Sequence, residues 1–193
     1  MKKFAVSLVS SALLSSVVFA ANANAEEASV APSFNYLSAG YSEMEHSSSD
    51  ATFSGMRAQF SRSITDVVFV RGGYESVSRD GATYEESEFS LGARFAVDER
   101  SSVYAGAGFL NAYSTDAAGS NLDHLYFTGV AVRPSEDVEL RVELQRARVY
   151  REHQTRAEIG ARYFVSPKFS VDASYGFTNS NTDAVRLGVS FHF

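Results

Sequence analysis

Three histidines, His46, His124 and His153, lie near Asp50 and Asp123 in a chain rich in serine. A serine, a histidine and an acid are the parts of an acyl-transfer site, in which the imidazole draws the proton from the attacking hydroxyl. Geometry rather than inventory defines such a site, and no serine here stands in a nucleophile motif. Surface histidines are common, so no catalytic residue is assigned, and a lipid-modifying enzyme ranks behind the readings below. His192 is expected to pack at a rim of the fold. No Cys/His cluster has metal-ligand spacing and no glycine-rich loop leads from a strand into a helix, so neither a metal nor another cofactor is expected.

The remaining chemically capable side chains are charged and recur at alternate positions. Arg57, Arg71, Arg94, Arg141, Arg156, Arg162 and Arg186 fall on the same parity as Glu75, Glu86, Glu88, Glu139, Glu143, Glu158 and Asp172 within their segments. Seven cations against seven anions nearly cancel. An enclosed charge is tolerable when it is paired and hydrogen-bonded, so one common interior would assemble these residues into a salt-bridge network.

Such an interior requires strands. Val138, Leu140, Val142 and Leu144 alternate with Glu139, Arg141, Glu143 and Gln145, which places the two sets on opposite faces of extended backbone. The same order returns at Phe89 to Val97, at Arg156 to Val165 and at Phe169 to Phe177. It closes the chain, where Val185, Leu187, Val189, Phe191 and Phe193 face away from Arg186, Gly188, Ser190 and His192. Ten segments are expected, at 33–44, 51–61, 67–78, 85–97, 102–114, 122–132, 138–150, 155–165, 169–179 and 184–193, with eight strands as the alternative count. Their length suits tilted membrane-crossing strands of about 9 to 11 residues. The faces of 122–132 stay open, because both carry bulky residues.

Two patterns say which face looks out. On the apolar face, Phe60, Phe95, Tyr163, Phe169 and Phe193 gather toward one rim and Tyr41, Tyr74, Phe109, Tyr175 and Phe177 toward the other, like the aromatic girdles at the two surfaces of a bilayer. A soluble barrel would hide the aliphatic face; a membrane barrel turns it to lipid and keeps the polar face inside. Inward glycines at 40, 73, 92, 106, 108, 160, 176 and 188 would make room for long arginine and glutamate side chains. Arg146 and Arg148 continue the lipid-facing line of Leu140 to the outer rim. There they could pair with lipopolysaccharide phosphates, or a bulge could turn them into solvent.

Composition agrees with export to an envelope. Met1-Lys2-Lys3, an apolar stretch to Ala21 and the small-x-small site Ala23-Asn24-Ala25 form a secretory signal, so cleavage is expected after residue 25, leaving 26–193 as one domain. That removes two of the 17 basic residues and none of the 23 acids, leaving a net charge of −8. An acidic chain lacks the basic footprint that nucleic acid requires. The chain has no cysteine, so disulfides play no part.

The strand cores Leu91-Gly-Ala-Arg-Phe95, Val103-Tyr-Ala-Gly-Ala-Gly-Phe109 and Ile159-Gly-Ala-Arg-Tyr163, with the ending Leu187-Gly-Val-Ser-Phe-His-Phe193, resemble the small, porin-like outer-membrane β-barrel proteins of Gram-negative bacteria. The resemblance covers the whole mature chain. It implies an all-β, single antiparallel up-and-down transmembrane barrel in the cell outer membrane, a monomer among lipid and lipopolysaccharide. It also implies Sec export and insertion by the barrel assembly machinery, with Phe191 and Phe193 in the assembly signal. Barrels of eight strands are filled by side chains and open aqueous channels need about 16 to 18, so ten strands lie nearer the filled end. The expected role is therefore structural, in envelope integrity, with a charged and largely filled lumen. A narrow pore for small solutes is the alternative, and a surface adhesin follows it.

Overall fold

Period-two alternation is realised as ten antiparallel strands, and the computed structural model describes residues 31–46, 51–115, 120–149 and 152–193. They are β1 (Tyr36–His46), β2 (Ala51–Ser63), β3 (Val68–Arg79), β4 (Ala82–Asp98), β5 (Ser101–Ser114), β6 (Ser120–Val132), β7 (Val138–Val149), β8 (Glu152–Ser166), β9 (Phe169–Thr178) and β10 (Thr182–His192). Each strand pairs with its neighbours in sequence, and β1 pairs with β10 to close the barrel. Closure removes every sheet edge, so the backbone hydrogen bonds are met within the protein. The ten-strand expectation holds and eight is excluded. Residues 1–25, Asp50 and the run Ser47 to Ser49 lie outside the described residues.

The closing seam depends on two glycines. Gly40 and Gly188 face each other across β1 and β10, and a Cβ on Gly40 would lie 2.1 Å from the Leu187 carbonyl oxygen. No other residue allows the two backbones that approach on the concave face. At the β3–β4 hairpin, Asp80 and Gly81 have φ of 48° and 88°, the paired positive values of a two-residue turn that matches strand twist. This Asp-Gly turn lets β4 start at Ala82 rather than at 85, and the loop expected over 79–84 shrinks to two residues.

The polarity of the barrel is inverted. Met56, Leu91, Leu187 and Val189 on the outer face are more than half exposed, while Glu139 inside has no accessible surface. All ten aromatics assigned to the two girdles lie on the outer face. This apolar exterior around a charged interior is the arrangement of a protein whose solvent is lipid. In β6 the parity is now fixed: Leu125, Phe127 and Ala131 are buried inside, and Leu122, Tyr126 and Val130 face out. Both faces are bulky because the lumen at this strand is filled with apolar side chains.

The barrel has a terminal end, which holds Tyr36 and His192, and a distal end, which holds His46 and Thr182.

Candidate functional site in the barrel lumen

Inward parity on seven strands delivers charged groups to one interior, where they divide into layers. Toward the distal end, Arg186 of β10 binds Glu75 of β3 through Nε at 2.8 Å and Nη2 at 3.0 Å, and Glu158 of β8 through Nη1 at 2.9 Å. Arg57 of β2 adds a contact to Glu158 at 3.5 Å. The Ser42 hydroxyl donates to Glu75. Beside them, Arg156 Nη2 spans both oxygens of Glu86 at 3.1 and 2.8 Å, and the Tyr84 hydroxyl donates to the same carboxylate. The Arg186–Glu75 and Arg156–Glu86 pairs join strands that are not neighbours, so they tie opposite walls together.

A middle layer repeats the device. Arg71 of β3 reaches Glu143 of β7 at 2.7 Å and Glu88 of β4 at 3.1 Å. Gln145 donates to Glu88 at 2.9 Å and the Tyr104 hydroxyl to Glu143 at 3.0 Å. Toward the terminal end, the fully buried Glu139 accepts from Arg141 at 2.8 Å and Arg162 at 3.1 Å, and Arg162 also holds Asp172 at 2.8 Å. Ser170 and Ser190 donate to Asp172 as well, which uses up the lone pairs a buried carboxylate must satisfy. Of the fourteen charged residues placed on the inner parity by sequence, only Arg94 makes no carboxylate pair within the described residues. It sits at the terminal mouth, where its Nε donates to the Asp66 carbonyl at 3.0 Å and its guanidinium lies 5.0 Å from the Phe34 ring centre.

The terminal end holds a group that the alternation did not reveal. Strand β1 starts at Tyr36 rather than at 33, and the preceding residues turn into the lumen. Phe34 is buried there against Phe69 and Tyr104, with ring centres 4.9 and 5.4 Å away, and Phe127 completes the cluster against both of those rings. Glycines provide the space: a Cβ on Gly92 would strike the Phe69 ring at 2.3 Å, and one on Gly106 the Phe127 ring at 2.3 Å. Guanidinium groups cap the aromatics, Arg71 over Phe127 at 4.0 Å and Arg141 over Phe34 at 4.9 Å. Such contacts strengthen when both partners are desolvated. The segment is fixed by its backbone: the Ser33 N–H donates to Glu139 at 2.8 Å, and Arg141 donates to the Ser33 carbonyl. Phe69, Tyr104 and Phe127 stand on inward parity, so the alternation could have found them; Phe34 lies before any strand and had no periodic signal.

Two spaces lie in the lumen among the described residues. A polar chamber of about 130 Å³ lies among Arg57, Arg71, Glu88, Arg141 and Glu158, and a cavity of about 280 Å³ lies above Arg156 and Arg186 at the distal mouth.

The histidines are not brought together. His46 faces the distal mouth and shares a 3.0 Å hydrogen bond with Thr182. His124 stacks outward on Phe109, with ring centres 5.4 Å apart, and His153 pairs across the ladder with Arg148. His192 is buried at the terminal end between Ser170 at 2.9 Å and Ser33 at 3.1 Å. Arg146 and Arg148 are exposed on the outer face, and β7 pairs without a bulge as far as Val149. Arg148 lies 3.9 Å from Asp123.

Fold and lumen together define a small membrane-spanning β-barrel of the outer-membrane kind. Among solved structures, the chain is similar to the KdgM porin in complex with disordered oligogalacturonate, at 12 % identity over 81 % of this chain and 99 % of that one, with a TM-score of 0.48. It is similar to Ail, the attachment invasion locus protein of Yersinia pestis, at 14 % identity over 82 % and 97 %, TM-score 0.40. A third is the outer membrane protein OprG from Pseudomonas aeruginosa, at 9 % identity over 82 % and 94 %, TM-score 0.44. No protein-family model and no curated protein matches the chain.

Proposed function

We propose that this protein is a sealed structural barrel of the outer membrane, with the terminal end toward the periplasm, contributing to envelope integrity rather than to solute passage. The observation that supports this reading is the two-part closure of the lumen: ion pairs that tie opposite walls, over an aromatic stopper anchored by Ser33 and Phe34. A path for ions would have to break several desolvated pairs at once, each costing several kcal/mol. Planar-bilayer recordings on purified, refolded protein test it. Silence at moderate voltage is expected, and reproducible unitary conductance overturns the sealed reading in favour of the narrow pore. For the membrane assignment, a heat-modifiable band on gels is expected, and solubility without detergent together with absence of that band would sink it.

Biogenesis follows the same reading. Residues 1–25 serve as a cleaved Sec signal, 26–193 form the barrel, and the outward Phe191 and Phe193 present the signal read by the barrel assembly machinery. The protein works as a monomer. At the outer rim, Arg146 and Arg148 contact phosphates of lipopolysaccharide, a geometry for which guanidinium is well suited. Loss of co-purifying lipopolysaccharide in Arg146→Ala/Arg148→Ala is the expected result, and unchanged co-purification counts against the contact.

A further inference from the structure

The distal cavity has the wrong walls for a space that only holds water. Met44, Phe53, Val77, Tyr84, Val149 and Ala184 line it from strands around the barrel, at a mouth where a water-filled lumen would present polar side chains. Val77 and Met44 are almost wholly buried, so the apolar surface is built into the barrel rather than left over at a frayed rim. The rim itself is polar, with the His46–Thr182 pair and Gln154.

The floor is charged and already balanced. Arg57, Arg156 and Arg186 are matched by Glu75, Glu86 and Glu158. Arg156 commits only Nη2, to Glu86, and its Nε and Nη1 make no hydrogen bond within the described residues. Guanidinium has donors and no acceptor, so whatever meets it must bring an accepting oxygen. That oxygen belongs to a neutral group, because a further carboxylate would leave an uncompensated negative charge at a desolvated floor. The size is bounded too: an apolar cavity of about 150 Å³ accepts benzene, and this one has about 280 Å³.

We propose that the distal cup is a binding site for a small neutral amphiphile: an apolar body of about two fused rings, or its aliphatic equivalent, bearing one hydrogen-bond-accepting oxygen toward Arg156. This holds whether or not the lumen below conducts.

The methionines allow a test within one sample. Met44 lines the cup, whereas Met56 lies on the lipid face, so methyl-¹³C-methionine NMR of the full chain in nanodiscs separates binding from partition into lipid. Three probes of matched shape are titrated: 2-acetylnaphthalene, naphthalene and 2-naphthoate. The expected result is a saturable shift of Met44 alone, with 2-acetylnaphthalene binding at least tenfold tighter than either of the others. Ala184→Phe fills the cup and abolishes the Met44 response; if that variant does not fold, Thr178→Phe serves in its place. Removing the floor pair together, in Arg156→Met/Glu86→Met, leaves no orphan charge and brings 2-acetylnaphthalene and naphthalene to equal affinity. Met44 and Met56 shifting together without saturation overturns the site. Naphthoate or naphthalene binding as tightly as the ketone overturns the ligand class.

Discussion

The two ends of the lumen are built from the same strands and solve opposite problems. At the terminal end, aromatic rings, guanidinium groups and the Ala31–Asn35 segment occupy the mouth and leave the polar chamber of about 130 Å³ beneath them, and each buried charge has more than one partner: Glu139 is held by Arg141, Arg162 and the Ser33 N–H. At the distal end the walls are again apolar, but nothing from the chain described enters between them, and a cavity of about 280 Å³ remains. Apolar side chains therefore pack around an inserted segment at one end and, among the described residues, line a cavity at the other. Among the described residues, the difference is that a segment of chain occupies the space at one end and none does at the other.

Breaking the terminal end should have the largest effect. Glu139→Ala leaves Arg141 and Arg162 without their shared carboxylate, and removing one partner of a buried pair costs about 3 to 5 kcal/mol. Equilibrium unfolding in urea from lipid vesicles measures it, and a loss below about 1 kcal/mol would show that lumenal water already carries these charges. Phe34→Ala should follow at about 3 kcal/mol, from truncating a buried aromatic. The same variant tests the seal, because it should admit ions at the terminal mouth and bring brief conductance steps that the parent lacks. At the distal end, Glu86→Gln keeps a hydrogen bond to Arg156 but loses its charge, and about 1 to 2 kcal/mol is expected. The smallest effect is predicted for Val77→Ala, about 1 kcal/mol, since its side chain lines an existing cavity and truncation enlarges that space rather than opening a void in a filled core. If Val77→Ala proved as costly as Phe34→Ala, the contrast between a filled and an open end would fail.

Much of this was legible in the chain because a strand's side-chain period is two, and one parity carries information about one face. The inner positions of Arg141, Glu143, Glu158 and Arg162 follow directly from counting, as do the outward Leu140, Ile159 and Tyr163. Counting failed in β6, where Leu125 and Phe127 point inward against equally bulky outward neighbours, because hydrophobicity marks the outer face only while the inner one is polar. Arg94 obeys parity yet joins no carboxylate pair within the described residues, since parity gives direction and not height along the barrel.

The sequence by itself determined a barrel of ten or eight strands, the two faces of every segment but 122–132 and the near balance of lumenal charge, all consequences of local alternation; closure of the sheet decided on ten. Only the tertiary structure decided which charges meet. Arg186 reaches Glu75 and Arg71 reaches Glu143 because closure and strand register bring distant segments to one level. It also decided that Phe34 enters the lumen at one end while no described segment enters the other, an outcome of where the chain turns before its first strand, for which no periodic signal exists.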